Sequence, residues 1–255
     1  MSDRSPVALV GACGKMGRSV ETQLELAVDF VLACRIDPSL AADPGPPLSA
    51  PTLDSIGSAE VAGIIDFSSA VGVAAAAAAA ARIGCPLVSG TTAIDKKGRE
   101  ALDAAARIVP VCWSPNFSIG IPVLMTALRE AARTLPPGWH LEIAETHHAA
   151  KRDAPSGTAL RLCEIWREIR GGRIIHGRQG LVGPRSEDEI GMHALRVGDA
   201  VGEHRLLLGG RGEVIEFVHR MQDRTAFAQG SIEALRRLKR RGPGRYEWGE
   251  LLCSA

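Results

Sequence analysis

Val7-Ala8-Leu9-Val10-Gly11-Ala12-Cys13-Gly14-Lys15-Met16-Gly17 decides the fold. Val7 to Val10 reads as a short buried strand, and Met16 to Leu26 carries apolar residues at helical spacing. Three glycines at GxxGxxG spacing lie between the two. Glycine lets the backbone turn sharply and lets an anion approach the free N–H groups of a helix start. The spacing is a variant of the GxGxxG dinucleotide turn. A glycine-rich turn alone says little, because many strand–helix loops need a positive φ. Asp37 adds weight: it lies about 20 residues beyond the turn, at the end of the next apolar run, where a carboxylate accepts both ribose hydroxyls. A carboxylate there repels a 2′-phosphate, so NADH is expected over NADPH, with use of both left open. Arg35 and Lys15 place positive charge nearby.

The same alternation continues outward. Phe30–Ile36, Gly63–Phe67, Pro86–Val88 and Ile108–Trp113 read as strands, and the Ala-rich Val71–Ile83 and Lys96–Ala106 as helices. Leu40–Pro51, rich in Pro, Ala and Ser, reads as a loop. Strands alternating with helices predict a parallel sheet, whose strands are apolar throughout because both faces are covered. The texture changes near Ser114-Pro115-Asn116-Phe117. After a helix at Pro122–Arg133, the segments His140–Thr146, Gly191–Arg196, Val201–Leu208 and Glu213–His219 read as strands, several of them alternating apolar with polar. Gly157–Ile169 lies between them as a helix, and Ala226–Arg241 is a last helix returning to the first domain. The fold class is therefore α/β: a Rossmann-like dinucleotide-binding domain (1–118 and 222–255) plus an α+β domain with an open mixed sheet (119–221).

Lys plus Arg number 30 against 29 Asp plus Glu, so no basic face for nucleic acid is expected. The six cysteines show neither CxxC pairs nor Cys/His zinc spacing, and no metal is expected. MSDRSP leads directly into the first strand with no secretory leader, and the Ala-rich run is too short to span a bilayer, so a cytoplasmic location and no membrane partner are expected.

The densest polar stretch is EIAETHHAAKRDAPSGTA, from Glu142 to Ala159. His147, His148 and Lys151 follow a strand and project together. Ser156-Gly157-Thr158 opens a helix, with Pro155 fixing its entry and Ser156 an N-cap. A helix start with bare glycine backbone receives a carboxylate or phosphate, and the neighbouring Lys and His place a proton donor in reach. Taken separately, a His pair satisfies carbonyls and an Asp-Ala-Pro-Ser run makes a turn; the whole string is hard to make as scaffold.

This stretch resembles the signature of the 4-hydroxy-tetrahydrodipicolinate reductase (dihydrodipicolinate reductase) family, E-hydrophobic-x-E-x-H-x-x-x-K-x-D-x-P-S-G-T-A. The pattern is met at Glu142, Ile143, Glu145, His147, Lys151, Asp153, Pro155, Ser156, Gly157, Thr158 and Ala159. Similar pieces run along most of the chain: GACGKMGR, Asp66-Phe67-Ser68, Gly90-Thr91-Thr92, Asn116-Phe117-Ser118, Gly177-Arg178, and Gly198-Asp199 through Gly202-Glu203-His204.

The resemblance implies reduction of 4-hydroxy-tetrahydrodipicolinate by NAD(P)H in lysine and diaminopimelate biosynthesis, in a homotetramer built through the second-domain sheets. It implies cofactor contacts at Gly11, Ala12, Cys13, Gly14, Lys15, Met16, Asp37, Gly90, Thr91, Thr92, Ser114, Pro115, Asn116 and Phe117. It implies a catalytic pair, His147 and Lys151, and dicarboxylate contacts at His148, Lys151, Ser156, Gly157, Thr158 and Thr92. Which of His147 and Lys151 delivers the proton stays open: imidazole titrates near neutrality, whereas an ammonium must be shifted down to act as an acid. Hinges are expected near Asn116 and Arg220. The chain departs from the family at Pro38, where NADP-preferring members carry a basic residue, and at Ala149-Ala150, where others are more polar. Two rival readings are an amino- or hydroxy-acid dehydrogenase on the same cofactor domain and a catalytically dead sensor. Neither needs His147, Lys151 and the Ser156 helix start together.

Overall fold

A computed structural model describes residues 4–43, 47–50, 52–57, 61–92 and 94–253. The chain opens with β1 (Ser5–Val10), α1 (Lys15–Leu26), β2 (Phe30–Ile36), β3 (Leu48–Ala50), a 3-10 turn at Leu53–Ser55 and β4 (Ile64–Asp66). Then come α2 (Ala70–Ile83), β5 (Leu87–Ser89), α3 (Lys96–Ala106), β6 (Pro110–Trp113) and α4 (Gly120–Thr134). There follow β7 (His140–His147), α5 (Gly157–Arg170), β8 (Arg173–His176), β9 (Glu189–Arg196), β10 (Gly202–Gly209) and β11 (Val214–Met221). The last elements are α6 (Thr225–Leu238), β12 (Gly244–Tyr246) and α7 (Trp248–Cys253). Two compact units result: Met1–Ile119 with Arg224–Ala255, and Gly120–Asp223.

The first unit holds a parallel sheet in the order β12-β6-β5-β4-β1-β2-β3. One face is covered by α2 and α3, the other by α1, α6 and α7. The Ala-rich composition of α2 suits its place: Ala76, Ala77, Ala79 and Ala80 are buried, and their small side chains let the helix lie close. Ser69 caps its start by accepting the Gly72 N–H, and Gly84 ends it at φ 79°, where a residue with Cβ is strained. Asp95 caps α3 in the same way, accepting from the Gly98 N–H at 2.8 Å.

The second unit is a mixed sheet in the order β11-β10-β7-β9-β8, with β7, β9 and β8 mutually parallel and β10 antiparallel to both its neighbours, β7 and β11. On β7, Leu141, Ile143 and Glu145 face inward, and on β10, His204, Leu206 and Leu208 do. α4 and α5 supply the rest of that core, with Leu128, Leu162 and Ile165 fully buried. Parallel and mixed sheets both stand as expected from the patterning.

Four short elements depart from the sequence reading. Leu48–Ala50 is not loop but strand β3, pairing Cys34 with Leu48 and Ile36 with Ala50; Pro44–Pro46 and Pro51 of that predicted loop lie outside the described residues. β8, β12 and α7 are likewise unpredicted. β3 and β12 are three residues long and β8 four, too few to show a period, and they form because a neighbouring strand edge offers hydrogen bonds. Among the described residues, no helix is long and apolar enough to cross a membrane.

The glycine turn is fixed by close backbone approach. Gly11 sits at φ 79°, and a Cβ there would lie 2.5 Å from the Phe67 carbonyl oxygen. A Cβ on Gly17 would lie 2.1 Å from the Gly11 oxygen, so α1 can enter only over a bare backbone. Gly11→Ala is expected to cost about 2 kcal/mol or more, the left-handed penalty plus the overlap, measured by urea unfolding.

Candidate active site

Because the strands of the first sheet are parallel, every loop leaving a carboxyl end emerges on one edge. The strand order reverses between β1 and β4, which opens a crevice there. Gly11–Met16 leaves β1, Asp37 leaves β2, Gly90-Thr91-Thr92 leaves β5, and Ser114–Phe117 leaves β6. The structure thus brings the predicted cofactor residues to a single edge. Gly14 is the N-cap of α1 and makes no side-chain cap bond, so the first N–H groups of the helix stay open to an anion. The Asp37 carboxylate accepts the Cys13 N–H at 3.1 Å through Oδ2, and the Ser39 N–H at 3.0 Å and hydroxyl at 2.6 Å through Oδ1. Burial would raise its pKa, but these hydrogen bonds outweigh that and hold it below the usual carboxylate range. A tight glycine turn, an open helix start and an ionised carboxylate at the next strand end fit a dinucleotide. Arg35 lies against Glu21 at 3.2 Å, so its charge is already engaged.

Two of the predicted cofactor residues offer no side chain. Phe117 is core, edge-on to Phe67 and tilted against Trp248. Thr91 is buried, and its hydroxyl donates to Asp66 at 2.7 Å. Asp66 is fully buried at the end of β4 and also accepts from the Ser89 hydroxyl at 2.7 Å, the Ser68 N–H at 3.1 Å and the Ser68 hydroxyl. Burial pushes its carboxyl up despite these donors. Asp66 therefore ties the loop after β4 to the loop after β5. The signal for it is a carboxylate closing the otherwise apolar GIIDF run.

In the second unit, β7 ends at His147, and a turn carries the chain through His148 and Lys151 to the start of α5. The Lys151 N–H donates to the His148 oxygen at 3.1 Å, and the Ala149 N–H to the Gly198 oxygen at 3.0 Å. Lys151 Nζ lies 2.8 Å from Asp153, whose exposed carboxylate an incoming anion can replace. Ser156 caps α5, its Oγ accepting the Ala159 N–H at 3.2 Å and standing 3.2 Å from His204 Nε2. The Ser156 side chain is buried and committed to the cap, so the open groups at the helix mouth are the Gly157 and Thr158 N–H groups and the Thr158 hydroxyl. Thr92 belongs to the first unit and the other predicted substrate residues to the second. A cavity of about 540 Å³ lies beside Ala154-Pro155 and is lined by His176, Gly177 and Met192–Leu195. None of the predicted substrate residues lines it.

His147 Nδ1 is hydrogen-bonded to Glu145, which the sequence reading left without a role. Glu145 is fully buried and also accepts from Arg196 at 2.9 Å and from the Ser156 N–H at 3.2 Å. Burial opposes its ionisation, but Arg196 and His147 outweigh it and hold the pKa low. Burial pushes His147 below its ordinary pKa, with Glu145 pulling the other way. Beside Glu145 in register on β10 stands His204, and beside His204 on β11 stands His219. Burial, with the neighbouring His147 and His219, brings His204 down to about 4. Arg196 and His204 were also missed. The period of β7 would have found Glu145, since it puts a charge on the face of Leu141 and Ile143.

Comparison with known proteins points one way. A family model described as dihydrodipicolinate reductase, N-terminus, matches residues 5–117, and one described as dihydrodipicolinate reductase, C-terminus, matches residues 120–252. The chain is 38% identical to the 4-hydroxy-tetrahydrodipicolinate reductase of Rubrobacter xylanophilus over 263 residues, covering 98% of each chain. It is 38% identical to that of Caulobacter vibrioides over 258 residues, covering 99% of this chain and 98% of the other. A dipicolinate-bound dihydrodipicolinate reductase from Paenisporosarcina sp. TG-14 shares the fold, with a TM-score of 0.78 at 22% identity over 98% of this chain and 100% of the other.

Asp66→Ala should lower stability by about 3 kcal/mol, because it leaves the buried Ser89 and Thr91 hydroxyls without their acceptor. Thermal unfolding checks this.

Proposed function

The chain belongs to the dihydrodipicolinate reductase family, and from that membership we propose that it reduces 4-hydroxy-tetrahydrodipicolinate to tetrahydrodipicolinate, with loss of water, in lysine and diaminopimelate biosynthesis. The observation that carries this reading is the turn from β7 to α5, which sets His147, Lys151 and the bare mouth of a helix within one short segment. The unit Met1–Ile119 with Arg224–Ala255 is the dinucleotide-binding domain, and Gly120–Asp223 the substrate-binding and tetramerisation domain, each bound within three residues of that expected from the sequence.

The cofactor is a nicotinamide dinucleotide; when bound it supplies a hydride from nicotinamide C4. The Gly11–Met16 turn would hold its pyrophosphate and Asp37 its ribose, with the loops at Gly90–Thr92 and Ser114–Phe117 supplying further contacts. NADH is preferred: Asp37 is ionised, Pro38 brings no compensating charge, and Arg35 is held by Glu21.

The Gly157 and Thr158 N–H groups, the Thr158 hydroxyl and His148 grip a substrate carboxylate. Lys151 exchanges Asp153 for the substrate and meets the negative charge that grows on the ring as hydride arrives. His147 and Lys151 together supply the proton taken up by the neighbouring ring carbon. With Nδ1 engaged by Glu145, Nε2 is the atom at which His147 holds or passes that proton. The protein is cytoplasmic and assembles as a homotetramer through its second sheet. In support, β11 is an edge strand whose outer face exposes Val214 and Val218.

Oxidation of NADH and NADPH in the presence of freshly prepared 4-hydroxy-tetrahydrodipicolinate tests the reading, and no turnover with either would end it. In the same assay Lys151→Ala should lower kcat on the order of 10³-fold while the Kd for NADH stays within twofold. An unchanged kcat removes Lys151 from the mechanism. By fluorescence titration, Asp37→Ala should weaken NADH about tenfold, the worth of a charge-assisted hydrogen bond, and NADPH far less. Equal weakening would mean that Asp37 does not read the ribose.

A further inference from the structure

Glu145 occupies a position at which the fold asks for an apolar residue. Its neighbours on the inner face of β7 are Leu141 and Ile143, both fully buried, and the unit's core continues around them. A buried ion pair is often no more stable than well-packed hydrophobic residues of the same volume, so stability alone does not account for a carboxylate there. Its partners do. One oxygen meets His147 Nδ1; the other accepts from Arg196 at 2.9 Å and from the Ser156 N–H at 3.2 Å. Arg196 also donates to the Asp153 carbonyl at 2.6 Å, fastening the loop between Lys151 and α5.

We propose that Glu145 is the positioning residue of the acid–base site: one buried carboxylate holds the His147 ring by Nδ1 and the mouth of α5 by the Ser156 N–H, keeping proton donor and anion grip in register. The proposal rests on the assignment of His147 to proton transfer. An ionised Glu145 can only accept, so the neutral imidazole carries its proton on Nδ1 and leaves Nε2 bare. This is the same logic by which a second carboxylate orients a catalytic histidine elsewhere. Nε2 faces Gly202, where a Cβ would stand 3.1 Å away, so the bare backbone of β10 makes room for the ring in this orientation. The charged and titratable groups facing His147 are Glu145 on its own strand, Lys151 in the following turn, Arg196 on β9 and His204 on β10, with His204 edge-on at 5.3 Å between ring centres. Glu145 is the negative one among them.

The test compares pH profiles of kcat for the unaltered enzyme, Glu145→Gln and His147→Asn. The amide keeps the size and an acceptor for Ser156 but loses the charge. It should lower kcat about 10- to 100-fold, the usual cost of losing an orienting partner, with KM for the substrate within about twofold. Removing the carboxylate disfavours imidazolium, so the His147 pKa falls. The limb of the profile that disappears in His147→Asn should therefore move to lower pH in Glu145→Gln, whether His147 acts as acid or base. A lowered kcat with that limb in place would make Glu145 merely structural and overturn the proposal. If His147→Asn keeps both rate and limb, the assignment of His147 falls, and the proposal with it. Should Glu145→Gln not fold, nitrogen NMR of the histidine-labelled full-length protein decides, with His147 assigned by its loss in His147→Asn. A proton on Nδ1 of the neutral ring supports the proposal, and one on Nε2 overturns it.

Discussion

A carboxylate taken out of water must be surrounded by donors, and each unit of this chain is organised around one at the carboxyl end of a strand. Asp66 closes β4 and Glu145 lies near the end of β7, and both are fully buried. Neither could stay there alone, because an unpaired buried charge costs several kcal/mol. Ser89 and Thr91 reach Asp66 from 23 and 25 positions away, and Arg196 reaches Glu145 from 51, so each carboxylate fixes loops that the chain's local preferences leave undetermined. Asp66 gathers Ser68, Ser89 and Thr91; Glu145 gathers His147, Ser156 and Arg196.

The two differ in what surrounds them, and the difference sets their chemistry. Asp66 is met by hydroxyls and one N–H, which do not offset burial, and its carboxyl is pushed upward. It is a structural knot under the crevice where the dinucleotide turn lies. Glu145 is met by a guanidinium and an imidazole, and it is held low in spite of burial. An ionised, fixed acceptor orients a histidine. The neighbouring His204 is desolvated, lies beside two other imidazoles and stays neutral, so it adds shape without a competing charge.

Much of this was legible along the chain. The glycine spacing of Gly11, Gly14 and Gly17, the placing of Asp37 and the alternation of strands and helices led to the parallel sheet, because those signals are local and periodic. The run from Glu142 to Ala159 led to His147 and Lys151, since its residues act within one strand, turn and helix start. Side-chain direction was less legible. Phe117 stands among residues expected to touch the cofactor, yet its ring is core; Ser156 caps α5 as expected, and its hydroxyl also stands 3.2 Å from His204 Nε2, a partner no local pattern shows. For the Phe117 ring and for the His204 contact of Ser156, neighbours from elsewhere in the fold decide what the side chain meets.

Sequence by itself determined the two architectures, the edge of the first sheet that carries the glycine turn and Asp37, and the segment in which His147 and Lys151 lie. These follow from periodicity, glycine conformation and spacing, each readable within some twenty residues. Tertiary structure decided what long-range partners do. It added the strands β3, β8 and β12, which exist only against a neighbour, and it joined Glu145 to Arg196 on a strand 51 positions away. It also set His204 beside both Glu145 and Ser156. Strand pairing and burial bring such groups together across gaps that no local pattern records, and the desolvation that shifts their proton affinities exists only once the core has closed around them.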